Sequence, residues 1–217
     1  DVYKRQRLPG KLGLFLGLTG AHINGRDALD LGLADRFLRD DQQDQLLQGL
    51  LQLNWQEQTA MQLNSLLKAL AQEAHDQQPD AQWLPRRAQI DAWLDVGDVR
   101  CAWRALSALR EHADPLFHRA GKTLSEGCPL TAHLVWEQIQ RARHLSLAQV
   151  FQMEYTLSLN CCRHPEFAEG VRARLIDKDQ TPHWHWPDIN AIPDAVVQAH
   201  FNKAREGRHP LADLSDF

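Results

Sequence analysis

The chain has 217 residues, of which 43% are hydrophobic and 24% are charged, with a net charge of −4 when its 11 histidines are counted as neutral. This composition is typical of a soluble globular protein. The mildly acidic balance provides no electrostatic basis for binding nucleic acid. No segment approaches the ~20 apolar residues that cross a membrane. We therefore expect neither nucleic acid nor a membrane as a partner.

The cysteines and the first residues bear on the cellular compartment. Cys101, Cys128, Cys161 and Cys162 show no C-x-x-C spacing, which favours free thiols in a reducing compartment. The opening segment DVYKRQR lacks the apolar core of a signal peptide. Together these features predict a cytoplasmic location.

The first forty residues predict short helices and one strand. LPGKLGLFLGL indicates a helix with Pro9 in its first turn. Asn24 is a suitable N-cap for a second helix, and Gly32 marks its end. The segment LADRFL, residues 33–38, predicts a short β-strand, the one strand that the sequence indicates.

The rest of the chain follows a helical period. Leucines at helical spacing predict two amphipathic helices in residues 41–76. Pro79 and Pro85 mark a loop. The fold class is therefore mainly α, with about one short strand. Further helices are predicted at about 87–96 and 99–113, between turns in 113–129, from Pro129 to about Arg143, after Ser146 as N-cap, from Pro165, and over Asp194–Arg205, before a loop-like tail.

The segment EFAEGVRARLIDKDQTPHW, residues 166–184, concentrates candidate acid–base residues. Glu169, Asp177 and Asp179 are candidates for general acid–base chemistry. Arg172 lies three residues after Glu169, which favours an ion pair on the helix surface. A solvated or ion-paired turn is the favoured interpretation of Asp177 and Asp179.

The same segment also carries a packing pattern. Phe167, Val171 and Leu175 are spaced i, i+4, i+8 and predict a buried line along one helix. Gly170 costs about 1 kcal/mol inside a helix relative to alanine, so we expect another backbone to pack closely against it.

Glu154 is a further candidate, because it falls within the apolar stripe of its helix. A carboxylate there must be paired, hydrogen-bonded or protonated. The alternatives are a tuned catalytic acid and a structural ion pair, for which Arg172 is the first choice of partner.

Other signatures are weak or missing. His183 and His185 share a face only in an extended segment, and two histidines without clustered partners are a weak zinc signal. Packing of the aromatic HWHW loop between Pro182 and Pro187 is the favoured interpretation. The sequence contains no G-x-S-x-G elbow, P-loop or dinucleotide fingerprint.

Two stretches resemble a known family. LTGAHINGRDALDLGLAD, residues 18–35, resembles a segment of crotonase (enoyl-CoA hydratase/isomerase) superfamily enzymes. Residues 128–184, with the motifs LSL…MEY and EGVRARLIDKD…P-W, resemble the 3-hydroxyisobutyryl-CoA hydrolase branch of that superfamily. The helical region between them is also similar to that branch, and the resemblance covers about residues 7–201.

The resemblance implies an α/β crotonase-type fold and hydrolysis of an acyl-CoA thioester. In that family two backbone N–H groups form an oxyanion hole, and a Glu and an Asp upstream of the LPGK position carry out the chemistry. No residue of this chain matches those positions, so we assign no catalytic, cofactor-binding or metal-binding residue. CoA enters as part of the substrate, and no other cofactor is expected.

The resemblance also implies a division of the chain. We predict a foreign or corrupted segment at 1–6, the end of the crotonase core at 7–40, a helical insert at 41–127, a C-terminal helical region at 128–205 and a tail at 206–217. The chain would then be the C-terminal part of an acyl-CoA hydrolase and inactive alone. Alternatives are an enoyl-CoA hydratase/isomerase or a non-catalytic helical assembly or binding module, and self-association into a homo-oligomer stays open.

Overall fold

A computed structural model describes residues 2–202 and 207–215. These residues are mainly helical, as predicted, and none of them lies in a β-strand. The α-helices are α1 (Val2–Arg5), α2 (Leu12–Thr19), α3 (Gly25–Asp30), α4 (Gln43–Gln52), α5 (Thr59–Glu73), α6 (Arg87–Trp93), α7 (Val99–Ser107), α8 (Pro115–Glu126), α9 (Pro129–Ala142), α10 (Leu147–Arg163), α11 (Pro165–Val171) and α12 (Asp194–Phe201).

The helix starts follow local sequence signals. Asn24 caps α3 in a capping box with Asp27, as predicted. Ser146 caps α10 in the same way with Gln149, and Pro129 occupies the first turn of α9. These starts agree with the sequence because each depends on residues within one turn of the chain.

Three predicted helix boundaries involve Pro9, Gly32 and Arg205. Pro9 does not lie in the first turn of α2, which begins at Leu12, because Gly10 turns the chain at φ +58° before the helix starts. Gly32, at φ +66°, follows α3 as expected. The predicted end of the last helix at Arg205 lies outside the described residues, and α12 is described to Phe201.

The predicted strand LADRFL is wrong. Residues 33–38 are irregular. An extended segment becomes a strand by pairing its backbone with another strand, and the described part of the chain offers no other strand.

The chain divides into two compact units. The smaller unit, His22–Arg87, contains α3 and the hairpin of α4 and α5. Inside it, the buried Asp27 carboxylate accepts hydrogen bonds from the backbone N–H groups of Gln82 and Trp83 at 2.7 and 3.0 Å. The loop before α6 is therefore fastened to the start of α3.

The larger unit consists of Asp1–Ala21 and Ala88–Phe217. Its core includes an aromatic cluster in which Phe117 contacts Phe15, Trp93 and His112 edge-on, with ring centroids 4.7–6.3 Å apart. The long helix α10 packs against α11 and α12 on the C-terminal side of this unit.

Candidate functional site

An apolar cavity of about 400 Å³ opens in the larger unit, where side chains of α9 to α12 converge. Cavities of this size can hold a small ligand, because ligand pockets commonly measure about 300–1,000 Å³. Its walls include Leu130 and Leu134 of α9, Cys161 of α10, Phe167 and Val171 of α11, and His200 of α12.

The predicted buried line forms the open rim of this cavity. Phe167 is 52% exposed, and Leu175 is 68% exposed. The expectation that Phe167, Val171 and Leu175 are buried is therefore wrong, although all three line the same cavity. After Val171 the helix widens into a π-helical turn, Arg172–Ile176, which changes the register on which the spacing argument relied.

Two histidines stand side by side in the cavity wall. The rings of His164 and His200 are 5.0 Å apart, and His164 stacks on Trp186 at 5.5 Å. Burial, and then the neighbouring His200, lowers the pKa of His164. His200 is buried, with its Nδ1 2.8 Å from the carbonyl oxygen of Val196. Burial of this kind disfavours a charged ring, so His164 contributes a neutral aromatic surface.

Glu166, beside these rings, was not singled out from the sequence. The residue is 7% exposed, and its carboxylate accepts hydrogen bonds from the backbone N–H groups of His185 and Trp186 at 3.2 and 3.3 Å. This bonding holds the HWHW loop against α11. The loop lies nineteen residues away in sequence, so no local pattern could have revealed the contact.

The cavity thiols are not activated nucleophiles. Burial raises the pKa of the Cys128 thiol, and burial followed by the nearby cysteines raises that of Cys161 to about 11. A thiol is nucleophilic as the thiolate. Both side chains therefore act as apolar lining near neutral pH.

Arg172 organises the acidic candidates. Its guanidinium donates to Glu169 at 2.8 and 2.9 Å, to Asp177 at 2.7 Å, to Asp179 at 2.6 Å and to the Thr181 carbonyl at 3.1 Å. This set is called the Arg172 clasp below. The predicted Glu169–Arg172 pair and the ion-paired turn are confirmed.

The Arg172 clasp favours the ionised form of two of its acids, Glu169 and Asp179. Hydrogen bonds from Arg172, and then from the His183 backbone, lower the pKa of Glu169 to about 2. Arg172 and then the Thr181 backbone lower the pKa of Asp179 to about 2. Carboxylates held ionised in this way cannot donate a proton near neutral pH, which supports a structural role.

The group that packs against Gly170 is the side chain of Trp184 and not a backbone segment. A β-carbon at Gly170 would lie 3.4 Å from the Trp184 ring. The expectation of a close backbone is therefore wrong. The chain after the Arg172 clasp turns back through positive φ at Lys178 and Gln180, which places Trp184 over α11.

Glu154 has other partners than expected. Its carboxylate accepts from the Val2 backbone N–H at 2.8 Å and from Gln138 Nε2 at 3.1 Å. The proposed pairing with Arg172 is wrong, because the clasp occupies that guanidinium. Glu154 is hydrogen-bonded within the fold, which favours a structural role over that of a tuned catalytic acid.

The backbone N–H of His183 donates to Glu169 at 2.6 Å, so His183 also contributes to the Arg172 clasp.

The structure also bears on a metal site and on a membrane-spanning helix. Among residues 2–202 and 207–215, no group of three or more His, Cys, Asp or Glu side chains is arranged to hold a metal ion. None of the helices in those ranges is both long and apolar enough to span a bilayer.

Two solved structures that superpose on most of this chain are named as a carnitinyl-CoA dehydratase and an enoyl-CoA hydratase. A carnitinyl-CoA dehydratase from Mycobacterium thermoresistibile superposes with a TM-score of 0.76 at 28% identity, covering 94% of this chain and 56% of that chain. An enoyl-CoA hydratase from Rhodobacter sphaeroides 2.4.1 superposes with a TM-score of 0.69 at 26% identity, over 93% and 54% of the two chains. This chain therefore belongs to the class of crotonase-fold proteins.

A family model described as Enoyl-CoA hydratase/isomerase matches residues 2–201, and the chain belongs to that family. The mitochondrial 3-hydroxyisobutyryl-CoA hydrolase of Danio rerio is 31% identical over 205 residues, covering 94% of this chain and 52% of the relative. The Homo sapiens protein of the same name is 29% identical over 200 residues, covering 92% and 50%. The predicted superfamily and branch are confirmed, and the chain spans about half the length of the curated relatives it matches.

The comparisons also correct one prediction. The relatives carry mitochondrial names in Danio rerio, Gallus gallus and Rattus norvegicus, so the cytoplasmic location predicted from cysteine usage is wrong. A reducing compartment for thiols is not unique to the cytosol. The match of the family model begins at residue 2, inside the segment 1–6, and the predicted domain division stays a prediction.

Proposed function

We propose that this chain is the C-terminal part of a CoA thioester hydrolase that acts on 3-hydroxyisobutyryl-CoA, a step of valine breakdown. Water would cleave the thioester to release the hydroxy acid and the CoA thiol, with no metal and no other cofactor. The observation that carries the proposal is the similarity to 3-hydroxyisobutyryl-CoA hydrolases over more than nine-tenths of the chain.

The contacts that the acids of this chain make favour a catalytic centre elsewhere in the longer protein. Arg172 holds Glu169, Asp177 and Asp179, and backbone amides hold Glu166. Hydrogen bonds from Arg172 lower the pKa of Glu169 and of Asp179, so these two carboxylates stay ionised near neutral pH. We propose that the catalytic Glu and Asp and the oxyanion amides lie upstream, and that this chain contributes supporting helices.

The test compares two polypeptides. One is the 217-residue chain, and the other is the chain extended upstream to the length of the relatives. Release of free thiol from 3-hydroxyisobutyryl-CoA is followed for both. The extended protein is expected to release thiol, and the 217-residue chain is not. Hydrolysis by the shorter chain would overturn the placement of the centre, and no hydrolysis by the longer one would overturn the reaction.

A second candidate reaction comes from the similar solved structures, one of a carnitinyl-CoA dehydratase and one of an enoyl-CoA hydratase. Hydration of an enoyl-CoA consumes the conjugated double bond and leaves the thioester intact. Loss of enoyl absorbance without thiol release from the extended protein would favour this alternative over the hydrolase.

The third candidate is a non-catalytic assembly or binding module. The exposed rim residues Phe167, Leu175 and Ile176 favour it, because clustered exposed apolar side chains often mark interaction surfaces. Light scattering of the 217-residue chain and of its Phe167→Ser variant tests it. Concentration-dependent self-association that the substitution abolishes would support a homo-oligomer through this rim.

A further inference from the structure

The hairpin of α4 and α5 in the smaller unit is closed at its base and open toward its tip. At the base, Gln42 and Leu70 are buried, and Gln42 Nε2 donates to the Leu70 carbonyl at 3.0 Å. Toward the tip, none of the ten residues of α4 is buried, and Leu70 is the one buried residue of α5. A helix in a protein gains most of its stability from the packing of its apolar face. The outer part of this hairpin therefore presents apolar side chains that no other element of the smaller unit covers.

The uncovered side chains form a row along α4 and the turn that follows it. Leu47 and Leu51 are 52% and 69% exposed, and Trp55, just beyond the end of α4, is 56% exposed. These three residues are called the hairpin row below. A β-carbon at Gly49 would lie 2.6 Å from Leu66 Cδ1 of α5, so Gly49 marks the side of α4 that faces α5. Residues two apart on a helix face different sides, so Leu47 and Leu51 point away from α5.

Trp55 is held in a defined position. Its Nε1 donates to the Leu50 carbonyl at 3.1 Å. Gln62 orders the turn that carries Trp55, because its Oε1 accepts from the Asn54 N–H at 3.1 Å and its Nε2 donates to the Glu57 carbonyl at 2.7 Å. The N–H is the one polar group of an indole ring, and here it is used inside the hairpin. The exposed part of Trp55 is therefore apolar and ordered, as is typical of residues that dominate the energy of an interface.

The charges around the hairpin row favour a second copy of this chain as the partner. Residues 45–67 contain one charged side chain, Glu57, although 24% of the whole chain is charged, and most of their polar residues are glutamines. A two-fold interface brings the same surface of both copies together. Like charges repel each other in such an arrangement, whereas a glutamine amide carries both donors and an acceptor and can pair with another glutamine. The surface is therefore self-complementary.

The size of the hairpin row indicates a weak interface. Large apolar side chains bury up to roughly 150–250 Å² each, so three half-exposed ones supply on the order of 300 Å² of apolar surface. A standard interface buries about 800 Å² on each partner. We therefore expect the two copies to associate with a dissociation constant on the order of 10–100 µM.

We propose that the hairpin row is a homodimer interface, in which α4 of one copy packs against α4 of a second copy across a two-fold axis near Leu51, the middle residue of the row. The two hairpins then form a four-helix arrangement that covers the apolar side chains of both. The hairpin belongs to the smaller unit, whereas the exposed rim residues Phe167 and Leu175 belong to the larger one. The inference does not rest on the proposed reaction.

Sedimentation velocity of the 217-residue chain, over concentrations from about 5 to 500 µM, measures the dimer. Leu51→Glu places two like charges near the axis and should raise the dissociation constant about tenfold or more. Leu51→Lys should have the same effect. An equimolar mixture of the two variants should restore the dimer, because opposite charges then meet. Leu175→Glu is the matched control, since Leu175 is 68% exposed, and it should leave the dimer unchanged.

Three results from the 217-residue chain would overturn the proposal. They are a chain that stays monomeric over the whole series, a dimer that Leu51→Glu leaves intact, and a dimer that Leu175→Glu alone weakens, which would place the contact at the cavity rim. The protein extended upstream tests a different occupant. If its upstream half covers the hairpin row, the extended protein stays monomeric and Leu51→Glu lowers its melting temperature, which also contradicts a homodimer through this surface.

Discussion

Helices α8 and α11 carry similar apolar patterns, but the apolar side chains of α8 are buried and several of those in and just after α11 are exposed. In α8, Phe117, Ala120 and Leu124 are all buried, and Phe117 is 1% exposed. In α11 and the π-helical turn, Phe167 and Leu175 remain more than half exposed at the cavity rim. A helical period therefore identifies residues on one face but does not show whether another element covers that face.

The largest expected difference between the two helices concerns their phenylalanines. Phe117→Ala should lower the free energy of unfolding by about 3–5 kcal/mol, because it removes the centre of a closed aromatic cluster. Phe167→Ala should change it by about 0.5 kcal/mol or less, as at other surface positions. Urea unfolding of both variants and the unsubstituted chain measures the difference. Equal losses would mean that the rim is covered in solution.

Each of the two helices contains one glycine, and the space around the two glycines differs. A β-carbon at Gly121 in α8 would meet the backbone of Arg110 and lie 2.7 Å from the Leu109 carbonyl carbon. Gly121→Ala should therefore destabilise the fold by about 1–3 kcal/mol. Gly170→Ala in α11 meets only the Trp184 ring at 3.4 Å. It should be neutral or up to about 1 kcal/mol stabilising, because alanine favours the helix. Thermal melts of the two variants should shift in opposite directions or differ clearly, and a matched loss at both positions would contradict this.

The smallest expected effect concerns pH and the Arg172 clasp. Glu169 and Asp179 have folded-state pKa values of about 2, below the ordinary values of roughly 4 in an unfolded chain. A depressed carboxyl pKa stabilises the fold above pH ~4, and this stabilisation is lost as the pH falls toward ~2. Arg172→Gln should raise both pKa values and make the acid limb of the stability curve shallower.

Carboxyl titration by NMR checks the clasp directly, with Arg174→Gln on the exposed neighbouring arginine as control. The control should leave both pKa values near 2. Unchanged titration of Glu169 in Arg172→Gln would show that the hydrogen bond from the His183 backbone suffices to hold this acid ionised.

Local features of the fold were predictable from the sequence. The Asn24 and Ser146 caps and the Glu169–Arg172 pair depend on residues one turn apart, and capping chemistry acts at that range. The LADRFL prediction failed because a strand depends on a distant partner, which no local pattern specifies.

The candidate site was less predictable, because its contacts join distant segments. Glu166 accepts hydrogen bonds from the backbone of His185 and Trp186, which lie nineteen and twenty residues away. Glu154 binds the backbone of Val2, far along the chain, and not the expected Arg172. Helical spacing placed Glu154 in the apolar stripe of its helix and did not single out Glu166, and the partners of both acids come from other elements.

The helical class, the main caps and the membership of the enoyl-CoA hydratase/isomerase family follow from the amino-acid sequence alone, since they depend on local chemistry and on motifs such as EGVRARLIDKD. The folded chain was needed to show that Phe167 and Leu175 border an open cavity, that Arg172 binds three acids and that the tail contacts α10. Burial, charge pairing and contacts of the tail depend on which distant elements meet, and a periodic pattern does not specify its partner.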